Sequence, residues 1–384
     1  MIYLDNAAST QIHDEVLDSM LPYLKEQYGN PSSIHRYGRL AHKAVEKSRK
    51  QVAELINADP SEILFTSGGT ESNNTALSGM LKPDSQLITS SIEHDAILEP
   101  CKKLEQLGFK ISYLPVDKFG TVNTTDLKNQ ISEKTRLVSI MFGNNEVGTI
   151  EPIEEITKIC NENSIYFHTD AVQAIGKIPI DVKKLGIDLL SISSHKINGP
   201  KGIGALYIRN GVSIDPVILG GGQEKGLRSG TENVANIVGF GKACEISKSN
   251  LDQNLTYVKK LRDYLVTKVL SEIPHVTLNG HPENRLPNNA HFTFLGVNGE
   301  DLIIKLDENG IAASTGSACS VHTQKASHVL QSMGFSHEQI TGSLRLTIGV
   351  FNTQNEIDQT VEILKKVVKE LRSFSPFKEK YSFS

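Results

Sequence analysis

The fold is decided by the stretch that runs from Leu137-Val-Ser-Ile-Met-Phe142 through Ile165-Tyr-Phe-His-Thr-Asp170 to Leu189-Leu-Ser-Ile-Ser193. These short apolar runs have the length of buried strands, and the pattern from about Ile153 to Asn161 between the first two is helical. Strands that alternate with helices predict a mostly parallel sheet covered by helices on both faces. We therefore expect an α/β fold.

The same alternation continues on both sides of this stretch. It predicts strands at Glu62–Thr66, Gln86–Ser90 and Gly204–Ile208, and a helix from His94 to Leu107. We assign the large sheet unit to residues 15–255.

A smaller α+β unit is expected beyond a long helical stretch from about Leu251 to Leu270. The sequence there predicts strands and helices at Asn289–Phe294, Gly299–Asn309, Ile311–Ser314, Ser343–Ile348 and Glu356–Arg372. We assign this unit to residues 256–384, and we expect the N-terminal residues 1–14 to pack on it.

The composition is that of an ordinary globular protein. Of 384 residues, 38% are hydrophobic and 22% are charged, and the net charge of -4 gives no electrostatic reason to expect nucleic-acid binding. The four cysteines have no paired CxxC spacing, which argues against a zinc site and against a disulfide framework. The sequence shows neither a basic leader with an apolar run nor a membrane-spanning stretch. We expect a cytoplasmic protein, or one whose organellar transit peptide has been removed.

Two ionisable residues lie at the carboxyl ends of predicted strands, where ligands bind in open α/β sheets. Lys196 follows the strand at 189–193 and precedes a Gly-Pro turn, so its amine could form a Schiff base. A solvated loop lysine fits the same position. Asp170 ends its strand, where its carboxylate could hold a cationic ring nitrogen or cap a helix that begins at Ala171.

Two further motifs suit an anionic ligand, and a third suits a cofactor ring. Ser67-Gly-Gly-Thr70 lies between a strand and a helix, so its amides could bind a phosphate or simply form a tight turn. Arg345 alternates with Leu344 and Leu346, and its partner is either a substrate carboxylate or an internal acid. His94 could cover a cofactor ring, shuttle protons or begin an ordinary capped helix.

Cys319 differs from the other cysteines in its surroundings. It lies in Ala313-Ser-Thr-Gly-Ser-Ala-Cys319-Ser-Val-His, a run of small and polar residues. Cys101, Cys160 and Cys244 lie on apolar helical stripes, which are typical of buried positions. A thiol on a small polar loop can ionise and be reached, so Cys319 is the candidate nucleophile, although an unremarkable loop cysteine fits the local sequence equally well.

Together these motifs resemble the pyridoxal-phosphate-dependent cysteine desulfurases of the NifS/IscS type, within the class V aminotransferase group. The resemblance runs nearly end to end and rests on an ordered set: Tyr3-Leu-Asp-Asn-Ala-Ala, Gly29-Asn-Pro-Ser-Ser, Thr66-Ser-Gly-Gly-Thr-Glu-Ser-Asn, Glu93-His, Asn144-Asn-Glu-Val-Gly, His168-Thr-Asp-Ala-Val-Gln173, Ser193-Ser-His-Lys196, Gly226-Leu-Arg-Ser-Gly-Thr231, Ser314-Thr-Gly-Ser-Ala-Cys319 and Leu344-Arg345. The cysteine motif separates this family from plain aminotransferases. The resemblance implies a fold-type-I enzyme whose large unit contains a seven-stranded type of sheet.

The resemblance also implies catalytic roles. Lys196 would carry pyridoxal 5'-phosphate, Asp170 would pair with its ring nitrogen, and His94 would stack on the ring. Arg345 would bind the substrate carboxylate. Cys319 would accept sulfur from the substrate.

Further residues are implied to hold the cofactor within a homodimer. Gln173 and Asn145 would bond the phenolic oxygen, and Asn145 would also contact the substrate. The phosphate would be held by Gly69, Thr70, Ser193, Ser194 and His195, with Thr231 reaching in from a second subunit. Ser194 departs from the family, because many relatives have glycine there.

The implied reaction converts L-cysteine to L-alanine. Lys196 would remove the α-proton, and the Cys319 thiolate would take the sulfur as a persulfide. The acceptor would be an iron–sulfur scaffold protein or an enzyme of tRNA or cofactor thiolation. No intrinsic metal is implied, although Cys319 could transiently ligate a cluster on a partner. The longer C-terminal extension that IscS-type proteins use to dock a scaffold is missing here, whereas the long stretch Ser320–Ser327 resembles the sulfur-donating branch.

Other reactions use part of the same residue set. A selenocysteine lyase or a class V aminotransferase would also need Lys196 and Asp170, but a transaminase would not need Cys319. A non-catalytic sulfur-binding protein would not need the intact set. A dinucleotide-dependent dehydrogenase is excluded because no GxGxxG motif follows the first strand of the sheet.

Overall fold

The computed structural model describes residues 1–315, 326–376 and 379–381. Its strands are β1 (Ile2–Tyr3), β2 (Ile63–Thr66), β3 (Gln86–Ser90), β4 (Lys110–Leu114), β5 (Thr135–Ser139), β6 (Tyr166–Asp170), β7 (Leu189–Ser193), β8 (Gly204–Ile208), β9 (Val276–Asn279), β10 (Asn289–Phe294), β11 (Ile311–Ala312) and β12 (Ser343–Thr347). Its helices are α1 (Asp14–Lys25), α2 (Arg36–Leu55), α3 (Gly69–Met80), α4 (Asp95–Gln106), α5 (Thr124–Gln130), α6 (Ile153–Glu162), α7 (Val182–Leu185), α8 (Val234–Ser249), α9 (Leu251–Glu272), α10 (Gly299–Glu308), α11 (His328–Ser332), α12 (His337–Thr341) and α13 (Gln354–Phe374).

Seven strands form the large sheet in the order β2-β8-β7-β6-β5-β3-β4. Strand β8 runs antiparallel to both of its neighbours, and the other adjacent pairs are parallel. The predicted α/β fold with a mostly parallel sheet is therefore confirmed.

The large sheet is apolar on both faces because successive residues of its strands enter different cores. Ile88 and Phe65 belong to one core, which includes residues of α1, α2, α6 and α8. Their neighbours Leu87 and Leu64 belong to a second core with residues of α3 and α4. Helices on both faces explain why the strands read as continuous apolar runs.

The predicted bounds of the strand at 137–142 are wrong. Strand β5 begins at Thr135 and ends at Ser139. The amides of Ile140 and Phe142 still donate to the carbonyls of His168 and Asp170, so the chain there continues along β6 only. The apolar character of 140–142 reflects burial rather than pairing on both sides.

The second sheet is antiparallel, with the order β12-β10-β9. Its core includes residues of α9, α10 and α13. The N-terminal strand β1 pairs in parallel with β11 of this part of the chain. The exact limits of the two units, 15–255 and 1–14 with 256–384, stay a prediction.

The three cysteines on helical stripes, Cys101, Cys160 and Cys244, are fully buried, as predicted. None of the helices in the described ranges is long and apolar enough to cross a membrane.

Arg372 connects the last helix to the second sheet. Its side chain is buried and donates to the carbonyl oxygens of Leu295 (2.9 Å), Pro274 (2.8 Å) and His275 (3.3 Å). Burial lowers the pKa of Arg372 to about 10, so the guanidinium stays charged at neutral pH. A single side chain thus satisfies carbonyl groups of the two turns next to β9 and β10.

Replacement of this arginine by a neutral side chain of similar length tests that connection. We expect Arg372→Met to lower the free energy of unfolding by about 2–4 kcal/mol, because the carbonyl oxygens of Leu295 and Pro274 lose the arginine donor and that of His275 keeps only the amide of Leu295. The matched control is Lys366→Met on the exposed side of the same helix. Equal midpoints of thermal unfolding for the two variants would contradict this role of Arg372.

Candidate active site

The candidate site lies at the carboxyl ends of β6 and β7, which are neighbours in the large sheet. Asp170 is the last residue of β6, Ser193 is the last residue of β7, and a 3-10 turn over Ser194–Lys196 follows. The order of the strands therefore brings together residues that are about 25 positions apart in the sequence.

Lys196 is half-buried and its amine is held by the N-terminal segment of the chain. Its Nζ donates to the carbonyl oxygens of Ala7 (2.5 Å) and Ala8 (2.9 Å). The side chain of Gln173 donates to the same Ala7 oxygen at 2.9 Å, so it lies beside the lysine. The alternative of a solvated loop lysine does not describe this arrangement.

Asp170 is a buried carboxylate with two fixed bonds. Its Oδ2 accepts from Asn73 Nδ2 at 2.6 Å, and its Oδ1 accepts from the amide of Val172 at 2.9 Å. The residues after it, 172–177, fold as turns rather than as the helix that the alternative reading requires. An oriented carboxylate that only accepts hydrogen bonds suits a protonated ring nitrogen.

The Gly68-Gly69 pair forms a narrow cradle at the start of α3. A Cβ on Gly69 would lie 2.7 Å from Cγ2 of Val172, and Gly68 has a φ of +152° that favours glycine. The hydroxyl of Ser193 lies 3.9 Å from where a Cβ of Gly68 would be. The first amides of a helix have no acceptor within the helix, so the amides of Gly69 and Thr70 can bind an anion.

Arg345 forms an ion pair with an acid of the same chain, which is one of the two partners that the sequence allowed. Its Nη2 lies 2.9 Å from Oδ1 of Asp5, and its Nη1 donates to the carbonyl oxygen of Asn145 at 2.8 Å. Asn145 Oδ1 is buried and has no hydrogen-bond partner among the described residues. The structure thus places the predicted carboxylate-binding residue directly against a predicted cofactor-binding residue.

His94 begins α4 as its N-cap, so the capped helix start is confirmed. Its Nδ1 accepts from the amide of Ala96 at 3.0 Å. Burial lowers the pKa of His94, and the opposing charge of Asp170 reduces that effect. A neutral ring whose Nδ1 is an acceptor carries its proton on Nε2, which leaves that atom for the site.

The preceding residue, Glu93, is a buried acid. Its Oε1 accepts from Ser90 Oγ (2.6 Å) and from the amide of Met141 (2.9 Å), and its Oε2 has no partner in the described ranges. Burial and the nearby Asp170 raise the pKa of Glu93 to about 8. Glu93 is therefore mostly protonated at neutral pH.

The remaining predicted residues differ in how closely they approach this centre. His195 Nδ1 lies 3.3 Å from Ser9 Oγ, and burial lowers the pKa of His195 to about 4. The buried Ser194 hydroxyl faces Gly199 so closely that a Cβ on Gly199 would collide with it. Thr231 is exposed, and Cys319 lies outside the described residues. Their functional roles stay predictions.

Asp5 and Asn73 received no role in the sequence analysis, although both lie in its quoted motifs. Asp5 contacts Arg345 from a position 340 residues away, which no local pattern reveals. Asn73, which contacts Asp170, had a usable signal: it lies one turn after Gly69 in the helix that opens at the cradle.

The comparisons with known proteins agree along the whole chain. The class-V aminotransferase family matches residues 2–360. The cysteine desulfurase IscS of Dictyoglomus turgidum is 49% identical, with 100% of this chain and 98% of that protein aligned. The IscS of Methanosarcina thermophila is 51% identical, with 99% and 95% aligned.

Solved structures share both the fold and much of the sequence. A NifS-like protein superposes with a TM-score of 0.90 at 41% identity, covering 96% of this chain and 99% of that chain. The structure of SspA in complex with cysteine superposes with a TM-score of 0.82 at 36% identity, covering 92% and 100%.

The raised pKa of Glu93 predicts a pH-dependent stability. Between the ordinary value of 4.5 and the folded value of about 8, the unfolded chain gives up the Glu93 proton more readily, so this residue lowers stability as pH rises. A glutamine side chain at this position would not titrate and would keep the acceptor oxygen. We expect the melting temperature of Glu93→Gln to exceed that of the wild type at pH 8, with the gap shrinking toward pH 5. A gap that does not change with pH would contradict the neutral state of Glu93.

Proposed function

Because the chain belongs to the cysteine desulfurases, pyridoxal-phosphate-dependent enzymes of the class-V aminotransferase family, we propose that it converts L-cysteine to L-alanine at the site around Lys196 and Arg345 and passes the sulfur to Cys319. One observation carries this proposal. The N-terminal segment from Asp5 to Ala8 contacts both side chains, through Asp5 on Arg345 and through two carbonyl oxygens on Lys196. The same segment of the chain thus holds the amine of Lys196 and the guanidinium of Arg345, which would bind the substrate carboxylate.

The described residues fit the cofactor of the family. The amides at the start of α3 and the Ser193 hydroxyl suit its phosphate, and the buried carboxylate of Asp170 suits its ring nitrogen. The buried, unpartnered Oδ1 of Asn145 marks a place where a polar ligand atom is expected. When bound, the protonated ring would accept the electrons released at the substrate Cα.

Side chains of the protein carry out the remaining steps. Arg345 binds and orients the substrate carboxylate, and the Lys196 amine takes the α-proton and returns it to carbon. His94 would cover the ring of the bound cofactor. The substrate C–S bond breaks, an S–S bond forms on Cys319, and the carbon that carried sulfur gains a proton. L-cysteine and the Cys319 thiol therefore become L-alanine and a persulfide, with no external oxidant.

The other thiols are poor candidates for the sulfur acceptor. Burial raises the pKa of Cys101 and of Cys160 to about 12, and it raises the pKa of Cys244 as well. These thiols are protonated at neutral pH, whereas the thiolate is the nucleophilic form. Since the sequence contains four cysteines, Cys319 is the one left for this role.

Several features support a cytoplasmic homodimer that hands sulfur to a further protein. Large apolar side chains are exposed on α1 and in the loop after it, including Leu24 and Ile34, and Leu219 is exposed in the segment that leads to Thr231. Exposed apolar side chains of this kind favour a subunit interface. Free buried cysteines suit a reducing compartment. The acceptor is an iron–sulfur scaffold or a thiolation enzyme.

The central experiment removes the proposed sulfur acceptor. In the presence of L-cysteine and a thiol reductant, we expect Cys319→Ser to lose the formation of both sulfide and alanine while it keeps the visible absorbance of the bound cofactor. The matched control, Cys160→Ala, should keep both products, because that thiol is buried and protonated. Unchanged sulfide and alanine in Cys319→Ser would refute Cys319 as acceptor and favour another reaction of the bound cofactor.

Mixed dimers test whether Thr231 completes the site of the other subunit. We expect Lys196→Ala and Thr231→Ala to be impaired alone, the latter through weaker cofactor binding. In a dimer of one subunit of each, one of the two sites has both residues, so activity should recover to about half of the wild type. The exposed Thr256→Ala should behave as wild type. If the mixed dimer recovered no activity, Thr231 would belong to the site of its own subunit.

A further inference from the structure

Asp5 forms an ion pair with the guanidinium of Arg345, the group that would bind the substrate carboxylate. Asp5 Oδ1 lies 2.9 Å from Nη2, the Arg345 side chain is 3% exposed and the Asp5 side chain is 17% exposed. The other terminal nitrogen, Nη1, donates to the carbonyl oxygen of Asn145. A carboxylate that binds arginine through two parallel bonds would therefore have to share Nη2 with Asp5 or displace it.

We propose that Asp5 is a positioning residue that holds Arg345 between turnovers and competes with the carboxylates of substrate and product. This inference rests on the proposed role of Arg345 as the carboxylate-binding residue. Asp5 carries the same functional group as the ligands, and it lies at the same guanidinium. It acts through Arg345 and sets how tightly an amino acid is held.

The charges explain the direction of the effect. A buried guanidinium without a partner is costly, so Asp5 stabilises Arg345 while no ligand is bound. When a ligand carboxylate arrives, two negative charges face one positive charge, and their repulsion weakens the new contact. Because Asp5 is more exposed than Arg345, its carboxylate can regain water as the ligand binds.

The backbone around Asp5 allows its side chain to exchange partners without a rearrangement of the segment. The carbonyl oxygen of Asp5 accepts from the amide of Ala8 (3.0 Å) and from the hydroxyl of Tyr3 (3.1 Å). Next to it, the amide of Thr347 donates to the carbonyl oxygen of Leu4 at 2.7 Å. These bonds fix the main chain independently of the carboxylate.

The position of Arg345 is likewise secured apart from Asp5. It lies inside β12, where it pairs with His291 of β10. On its other side, the amide of Arg345 donates to the carbonyl oxygen of Ser314 at 2.6 Å. Loss of the Asp5 charge should therefore leave the guanidinium in place and make it more available to the ligand.

The test compares two ligands that differ only in the carboxylate. The cofactor-loaded wild type and Asp5→Asn are titrated with L-alanine and with L-alaninamide, and binding is followed through the visible absorbance of the cofactor. We expect Asp5→Asn to bind L-alanine about tenfold more tightly, because a charged competitor becomes a neutral one. Binding of L-alaninamide should not change. The KM for L-cysteine should fall in parallel.

Three further variants make the outcome decisive. Asp14→Asn is the same chemical change at an exposed acid, and it should have no effect. Asp5→Ser should reproduce the tighter binding of L-alanine. In the Arg345→Met background, Asp5→Asn should no longer alter the affinity for L-alanine, because the competition acts only through the guanidinium.

Failure of this inference differs from failure of the proposed function. Unchanged or weaker binding of L-alanine by Asp5→Asn, or an equal change for L-alaninamide, would overturn the role of Asp5 and leave it as a structural brace. Loss of folding in both Asp5 variants would do the same. A cofactor-loaded wild type that neither binds L-alanine nor forms sulfide would instead overturn the proposed function itself.

Discussion

The attachment of the N-terminal segment to two charged side chains is the constraint on which this site depends. Lys196 follows a strand of the large sheet, and Arg345 lies in a strand of the smaller one. The pairing of strands within each sheet does not fix the distance between them. The segment from Asp5 to Ala8 joins the two side chains, because it contacts Arg345 at one end and Lys196 at the other, and the bond from Arg345 to the carbonyl oxygen of Asn145 adds a second connection. Under the proposed function, these contacts would set whether an amino acid can reach both groups at once.

Burial keeps two acids of the large unit mostly protonated at neutral pH. The pKa of Glu93 and of Glu151 is raised by burial to about 8. Glu93 and Glu151 accept hydrogen bonds from the amides of Met141 and Val122. These acids thus serve as neutral acceptors for the backbone. The charged groups described at this edge then include Asp170, the cations Lys196 and Arg345, and Asp5, which is paired with Arg345.

The sequence predicts the large sheet well because its strands are short, apolar and followed by helices. The prediction fails at Ile140–Phe142, where buried side chains continue beyond the strand and periodicity cannot separate burial from pairing. The polar residues of the site could be found from their places at strand ends, since parallel strands end at one edge. The partners Asp5 and Ala7 could not, because they come from the first residues of the chain. Contacts between distant segments depend on how the two sheets pack, which no local pattern encodes.

The distribution of thiols has a consequence for the fate of sulfur. A persulfide exchanges with any accessible thiolate, and the rate depends on the thiolate fraction and on access. Cys101, Cys160 and Cys244 lack both, since they are buried and their thiols stay protonated at neutral pH. In the proposed reaction, these three thiols would therefore not compete for sulfur held on Cys319. The buried cysteines support the core as small apolar side chains, and under the proposed function their burial would favour transfer of the sulfur to a separate molecule.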